Sequence, residues 1–228
     1  NSLMNSLIID TTYGSCSASI IDSNMHCFYT FNSSNKLQSE TITSVTLETF
    51  KKAKKDIKDI SNLVVTNGPG NFTSIRVGVS FALGIAKGLS LPLYSISSLD
   101  LLSIFENEKF IKNKSYICIM PSRGNEFFIK VFEKNSDSTS GILKIKKADL
   151  ENQFSKNNYV AVINSLQNKQ INIENLNLIE RNLGDMSLDL VLKIKNSNLK
   201  LNKLEELNYF SSPSAEKVRS SWYMKKKK

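Results

Sequence analysis

Two short turns carry the residues whose side chains and spacing could bind a phosphate. Asp10-Thr11-Thr12 closes one apolar run and combines a carboxylate with two hydroxyl groups. Gly68-Pro69-Gly70 closes another and precedes Thr73, where the free amides and the dipole of a following helix would favour an anion. The sequence therefore offers six residues as possible nucleotide or anion contacts: Asp10, Thr11, Thr12, Gly68, Gly70 and Thr73.

Each turn also has a purely structural interpretation. Asp10 and Thr11 could bind the backbone of their own hairpin, because short polar side chains readily do so. Gly68-Pro69-Gly70 lacks the Gly-Lys-Ser/Thr ending of a P-loop, which favours a tight connection from strand to helix over an anion site. For the turn at Asp10 the two interpretations are equally open.

The residue types needed for other catalysis are missing from the sequence. His26 is its only histidine, so no HxxxH or HExxH pair exists, and there is no GxSxG motif. Catalytic metal sites usually need two or three such ligands, and a serine triad needs a histidine beside the nucleophile. Cys16, Cys27 and Cys118 form no CxxC pair, which indicates reduced thiols, and the first and last lie where we expect burial. We predict no catalytic residue and no metal site.

The two turns must be positioned by the strands and helices that the apolar pattern predicts. Strands are predicted at 7–10, 16–21, 25–31, 63–66 and 93–96, the first three as an antiparallel meander. Helices are predicted at 39–55, 73–89 and 97–105, the second capped by Thr73 or Ser74. Weaker patterns predict strands at 115–120, 126–133, 142–145, 159–163 and 176–179, a turn at 135–141, and helices at 148–154 and 186–194. This order predicts an α/β protein whose mixed sheets carry helices.

Composition and charge indicate a soluble protein. Of the 228 residues 40% are hydrophobic and 22% charged, and no apolar run approaches the roughly 20 residues of a membrane span. No signal peptide is recognisable, so we expect a cytoplasmic protein without membrane contact. The formal charge is +9, but Lys225–Lys228 contribute four units, and the remaining excess is not typical of nucleic-acid binding. We expect the lysine tail to be a disordered end rather than an RNA contact.

Three segments resemble the bacterial TsaB (YeaZ) family. They are LIIDTTYGSCS at 7–17, NGPGNFTSIRVGVSFALGIAKGL at 67–89 and LPLYSISSLDLL at 91–102, in the family's order and spacing. The resemblance covers residues 1–105 and weakens afterwards. The chain departs from the family at Ser74, where the family has glycine, and at Pro121, where it has an acid, although Arg76, Arg123 and Glu126 are kept. A family histidine near the first helix has no counterpart in 36–42.

The resemblance implies an actin-like (ribonuclease H-like) α/β fold with two related subdomains. Together with the charged, polar stretch at 106–114, it predicts an N-terminal subdomain at 1–106, a smaller and diverged one at 107–220, and a basic tail at 221–228. It also implies a role in the threonylcarbamoylation of adenosine next to the anticodon of tRNA. The family member is there a non-catalytic subunit, which heterodimerises with the catalytic subunit TsaD and binds the ATPase TsaE.

The resemblance further implies where the partner binds. It predicts a four-helix layer with TsaD, built on the helices at 39–55 and 73–89 through eight residues: Ile42, Val45, Thr49, Phe72, Ile75, Arg76, Val79 and Leu83. We expect no cofactor of the chain's own, although a nucleotide could lie at the heterodimer interface, and only indirect contact with tRNA. Without the partner, the apolar face predicts a homodimer. The alternatives are an actin-like nucleotide-binding phosphotransferase and a decayed homodimeric interaction protein, whereas a protease is disfavoured.

Overall fold

The computed structural model describes residues 5–32, 37–105, 111, 114–134, 140–197 and 199–205. Within these ranges the strands, numbered along the chain, are β1 (Ser6–Asp10), β2 (Cys16–Ile21), β3 (Cys27–Asn32), β4 (Asn62–Thr66), β5 (Leu93–Ile96), β6 (Ser115–Pro121), β7 (Glu126–Phe132), β8 (Leu143–Lys146), β9 (Tyr159–Asn164), β10 (Asn177–Arg181) and β11 (Asn202–Lys203). The helices are α1 (Gln38–Ala53), α2 (Phe72–Leu89), α3 (Ser98–Ser103), α4 (Lys147–Gln153) and α5 (Leu183–Ser197).

The strands form two mixed sheets. The first has six strands in the order β11-β5-β4-β1-β2-β3, and the second has five in the order β10-β9-β6-β7-β8. In the first sheet β1, β4 and β5 run parallel, while β1, β2 and β3 form the predicted antiparallel meander. The register that pairs Ile9 with Val65 brings the ends of β1 and β4 together, so Asp10 lies beside Thr66.

The helices form layers on both sides of the first sheet. α1 and α2 cover one face, where apolar side chains of both helices share a core with Leu7, Ile9 and Val65. α3 and α5 lie between the two sheets, in a core that joins Ile8 of β1 to Cys118 of β6. α4 packs on the far face of the second sheet through Leu150. The turn after β1 therefore lies where the first sheet, α2 and α3 meet.

Buried polar contacts join α3 and α5 to their surroundings. Arg181, at the end of β10, is only 5% exposed. Its guanidinium donates to the carbonyl oxygens of Leu102 and Ile104 at the end of α3 and pairs with Asp189 of α5. It also stacks over the Phe105 ring, with its Cζ 4.2 Å from the ring centroid. These contacts hold the end of α3, the helix whose other end reaches the candidate site.

The structure has every predicted strand and helix, with shifted ends. β3 begins at Cys27, so His26 lies in the preceding turn and its predicted strand placement is wrong. α2 begins at Phe72 and is capped by Asn71, whose Oδ1 accepts from the Ser74 amide at 3.2 Å, so the predicted cap is also wrong. Most of 106–114 and 135–141, and all of 221–228, lie outside the described residues. The subdomain boundary stays a prediction; β11, late in the chain, pairs with β5 of the first sheet.

Candidate functional site

The carboxylate of Asp10 lies at the centre of a buried hydrogen-bond network. Its side chain is fully buried. Oδ1 accepts from the Thr12 amide at 3.1 Å and from the hydroxyls of Thr12 and Thr66, both at 2.5 Å. Oδ2 accepts from the Tyr13 amide at 3.4 Å. Burial raises the pKa of Asp10 above its ordinary value, and the hydrogen bonds from Thr12 and Thr66 oppose that shift.

The network continues from Thr12 into α3. The Ser98 hydroxyl donates to Thr12 Oγ1 at 2.7 Å, and the Tyr13 hydroxyl donates to the Ser98 carbonyl oxygen at 2.6 Å. Sequence reasoning missed Thr66, Ser98 and Tyr13 as members of this site. Polar residues that end neighbouring buried strands were the available signal for Thr66, because parallel strands end at the same edge of a sheet.

The glycine turn and α2 pack directly against this network. A Cβ atom added at Gly70 would lie 3.2 Å from the Thr12 carbonyl oxygen. One added at Gly78 would lie 2.4 Å from Thr11 Oγ1, which itself donates to the Ser74 carbonyl oxygen at 2.7 Å. The two glycines therefore let α2 approach the Asp10 turn closely, as only residues without a side chain can.

Most of the predicted anion contacts come together, but their polar groups are bound by atoms of the same chain. Asp10, Thr11 and Thr12 are buried and hydrogen-bonded to protein atoms, whereas Thr73 is exposed at the start of α2. Gly68, with φ of +105°, has its carbonyl oxygen bound by the Ser98 amide at 2.8 Å. A phosphate between the turns would have to displace these contacts. The arrangement in this chain therefore does not fit a nucleotide held by the two turns, and it matches the structural interpretation of the Asp10 turn.

Five of the eight predicted interface residues are core residues of this chain. Ile42, Val45, Thr49, Ile75 and Val79 are at most 8% exposed, the four aliphatic ones in the core beneath α1 and α2. They offer little surface to another protein in the isolated chain, and their role as contact residues stays a prediction. Their burial has a simple cause, because a helix in a layered fold turns its most regular apolar stripe towards its own sheet. Phe72, Arg76 and Leu83 do reach the surface, with the Arg76 guanidinium 5.4 Å from the centroid of the Phe72 ring.

The exposed side of α2 carries a row of small residues, none of which is among the eight predicted interface residues. Ser80, Gly84 and Gly88 recur every fourth residue and all are exposed. A Cβ at either glycine would meet no atom within 4 Å. Half-buried apolar side chains flank the row, among them Phe81 and Leu83. We call this surface the small-residue face of α2, defined by Ser80, Gly84 and Gly88.

The same helix has an unusual composition for a surface helix. Among the described helices, α2 is the one long and apolar enough to cross a membrane, with a mean hydropathy of 1.2 and 33% of its residues buried. This finding departs from the expectation that no apolar segment of the chain comes near that length. Helices in the cores of soluble proteins pass the same test, and α2 packs on a sheet.

The remaining candidate groups, the three cysteines and His26, are poorly suited to catalysis. Burial raises the pKa of Cys16 to about 12 and of Cys27 to about 11, and raises that of Cys118 well above its ordinary value. Thiols with such pKa values are protonated at neutral pH and are weak nucleophiles. The His26 side chain is 67% exposed, with Nδ1 3.1 Å from Asp22 Oδ2. In the part of the chain that the structure describes, no group of three His, Cys, Asp or Glu residues could hold a metal ion.

Comparison with known proteins finds two groups of relatives, both named for the threonylcarbamoyl modification of tRNA. A family model described as TsaD, tRNA N6-adenosine threonylcarbamoyltransferase, matches residues 32–176. The tRNA threonylcarbamoyladenosine biosynthesis protein TsaB of Buchnera aphidicola subsp. Acyrthosiphon pisum is 25% identical over 174 residues, which are 71% of this chain and 77% of the relative. The tRNA N6-adenosine threonylcarbamoyltransferase of Phocaeicola vulgatus is 30% identical over 113 residues, only 33% of that protein.

A solved structure shares the fold over nearly the whole chain. YeaZ from Pseudomonas aeruginosa superimposes with a TM-score of 0.67 at 12% identity, covering 89% of this chain and 96% of that one. The two mixed sheets and this likeness confirm the predicted actin-like α/β fold class.

Proposed function

Because the chain belongs to the TsaB/YeaZ family, we propose that it serves tRNA threonylcarbamoylation as a non-catalytic subunit paired with a TsaD-type catalytic subunit. A TsaE-type ATPase would act on this pair, in the cytoplasm, and the chain would contribute no cofactor of its own. The observation that carries the proposal is the small-residue face of α2, an exposed surface on an otherwise apolar helix.

The physical argument for docking rests on how closely a second helix could approach. Helix axes pack 8–10 Å apart on average, and the closest approaches need small residues at the contact. Ser80, Gly84 and Gly88 repeat at a four-residue spacing that keeps them on one side of α2. The flanking Phe81 and Leu83 are half-buried in the isolated chain, so a partner helix could remove their remaining apolar surface from water.

The non-catalytic part of the proposal rests on the state of the reactive groups. The Asp10 carboxylate is enclosed by donors of its own chain, and the three thiols have raised pKa values. Chemistry would then belong to the partner, and this chain would hold the partner in its active arrangement.

Copurification with a TsaD-type subunit tests the docking surface. Gly84→Trp should abolish the complex, because the indole would stand where the partner helix approaches, yet a side chain at Gly84 meets no atom of this chain. Gly84→Ala is the matched control and should retain the complex. Retention of the complex by both Gly84→Trp and Ser80→Trp, with unchanged circular dichroism, would overturn the assignment of this surface.

Two further measurements separate the alternatives. Calorimetry of the isolated chain with ATP and magnesium should show no binding, and micromolar binding would favour the phosphotransferase instead. Light scattering should show a homodimer that Gly84→Trp disrupts and that a TsaD-type subunit replaces. Complementation of a strain lacking its family protein, with the modified nucleoside measured by mass spectrometry, should succeed with the wild-type chain and fail with Gly84→Trp.

A further inference from the structure

α3 and α5 lie between the two sheets, and each packs on the sheet that it does not follow in the chain. α3 follows β5 of the first sheet, yet both of its ends contact strands of the second. At its start, Asp100 Oδ1 lies 2.5 Å from Lys130 Nζ of β7. At its end, the Ser103 carbonyl oxygen accepts from the Tyr116 hydroxyl of β6 at 3.3 Å. α3 therefore ties the first sheet to the second.

α5 makes the reverse connection. It follows β10 of the second sheet, and its contacts reach β2 and β3 of the first. The Ser19 hydroxyl donates to the Ser187 hydroxyl at 2.6 Å, and both residues are fully buried. Cys27 Sγ donates to the Gly184 carbonyl oxygen at 3.4 Å, and a Cβ added at Gly184 would lie 3.1 Å from the Cβ of Tyr29. We call α3 and α5 the exchanged helices, because each sheet receives one from the other.

The side chain of Arg181 connects the two exchanged helices. It binds the carbonyl oxygens of Leu102 and Ile104 at the end of α3, and it pairs with Asp189 of α5. The last carbonyl groups of a helix have no partner within the helix, so Arg181 supplies donors that α3 lacks at this end. Burial lowers the pKa of Arg181 and the Asp189 carboxylate opposes that shift, and the guanidinium stays charged at neutral pH.

One apolar core extends through the layer of the exchanged helices. It joins Ile8 and Val64 of the first sheet to Cys118 and Val162 of the second, with apolar side chains of α3 and α5 between them. After α5 the chain returns to the first sheet, where β11 pairs with β5. Two domains of one chain are expected to move relative to each other unless their interface is large and hydrophobic. A shared core crossed by two helices meets that condition.

We infer that the two sheets form one rigid body, which the exchanged helices hold closed with Arg181 as the latch. The space between the sheets does not open to admit a ligand, and a partner that binds α2 meets a body whose halves keep a fixed arrangement. Arg181 is a positioning residue, because it acts through α3 and α5. The inference is independent of the proposed function, since it rests only on contacts within the chain.

Hydrogen exchange of the full chain at increasing urea concentrations, measured by mass spectrometry, tests whether the sheets open together. The amides of β1 and β9, a central strand of each sheet, should exchange through one opening event with one dependence on urea. Halves joined by a hinge would instead show two opening events of different free energy. That result would overturn the inference.

Arg181→Met tests the latch, because it removes the donors and the charge but keeps an apolar stem beside Phe105. Exchange of the amides in α3 and α5 should become at least about tenfold faster, since hydrogen bonds to charged groups are among the stronger ones. Arg123→Met is the matched control at an exposed arginine of the second half, and it should leave both helices unchanged. Unchanged exchange of either helix in Arg181→Met would overturn the assignment of Arg181.

A distance measurement separates a latch from a residue that only stabilises the fold. Spin labels introduced as noncanonical amino acids at Glu48 of α1 and Lys169 beyond β9, both exposed, report the distance between the two halves. The wild-type chain should give one narrow distribution, and Arg181→Met should broaden it or add a second distance. Arg123→Met should leave the distribution narrow.

A milder variant keeps the test decisive if Arg181→Met does not fold. Arg181→Lys keeps the pair with Asp189 but lacks the planar fork that binds two carbonyl oxygens at once, so it should broaden the distribution less. A second distance in the wild-type chain would overturn the rigid body. A narrow distribution in every folded variant of Arg181 would overturn the latch.

Discussion

The two ends of α2 use the same residue types for opposite purposes. Near its start, a Cβ atom at Gly78 would clash with Thr11 and one just before the helix, at Gly70, would crowd Thr12 of the Asp10 turn. Near its end, Gly84 and Gly88 face open space. The first pair lets the chain close on itself and the second leaves a smooth surface, so small residues alone do not reveal which role they have. The motif that resembles a phosphate site is therefore the closed region, where Gly70 and Gly78 pack against the Asp10 turn. The open region, at Gly84 and Gly88, is the one available to a partner.

The largest effect on the closed region should come from Asp10→Ala. The substitution leaves the Thr66 hydroxyl, the Thr12 amide and hydroxyl, and the Tyr13 amide without their acceptor in a buried place. Each unsatisfied buried donor costs about 1–3 kcal/mol, so we expect the free energy of unfolding to fall by at least about 3 kcal/mol in urea denaturation. A loss below about 1 kcal/mol would mean that water reaches this network and that the region is not closed.

The next effect tests the contact between α2 and the turn. Gly78→Ala should lower the free energy of unfolding by about 1–2 kcal/mol, because overpacking against Thr11 at 2.4 Å outweighs the helix propensity gained. Thr11→Ala removes both atoms nearest to the new methyl group, so the double variant should lose less than the sum of the two single losses. Additive losses would show that the two residues do not share this contact.

The elements and the fold class could be predicted from the sequence, because strands and helices here follow regular apolar periods. The sequence could not predict which face of each helix packs on the chain's own sheet and which face reaches the surface. Ile42 and Val79 have the spacing expected of an interface stripe, but they pack on the sheet of their own chain. The spacing of apolar residues along a helix does not reveal which apolar surface the helix packs against. The stripe that does reach the surface consists of Ser80, Gly84 and Gly88, which lack the apolar signal that such reasoning follows.

The apolar pattern also could not predict that the polar groups of the Asp10 turn form hydrogen bonds within the chain. Thr66 and Ser98 are distant from Asp10 in sequence, and only the parallel register and the packing of α3 bring their hydroxyls into the network. The local rule that Asp and Thr bind their own hairpin was correct for the Thr12 and Tyr13 amides. Family resemblance indicated which turns matter, and it could not indicate that their polar groups are bound by other parts of the same chain.

The pH dependence of stability should identify the buried carboxyl. Burial raises the pKa of Asp10 above the value of the unfolded chain, so its contribution to stability is fully present below the unfolded pKa and is lost as the pH rises through the folded pKa. The free energy of unfolding of the wild-type chain relative to Asp10→Asn should therefore increase on acidification from neutral pH. A single proton limits the slope to about 1.4 kcal/mol per pH unit. A relative stability that falls on acidification would mean that the hydrogen bonds outweigh the burial.

The smallest effect, and the one of opposite sign, belongs to the open region. Gly84→Ala should raise the free energy of unfolding by about 0.5–1 kcal/mol, because alanine favours the helix and its methyl group meets no atom within 4 Å. Thermal and urea unfolding of Gly78→Ala and Gly84→Ala, side by side, compare one substitution at two positions of one helix. The two substitutions should change the free energy of unfolding with opposite signs if Gly78 is packed against Thr11 and Gly84 faces open space. Both variants are compared at a dilution at which light scattering shows the monomer, because the predicted homodimer would cover the small-residue face. Destabilisation of the monomer by Gly84→Ala would mean that the chain itself covers this face.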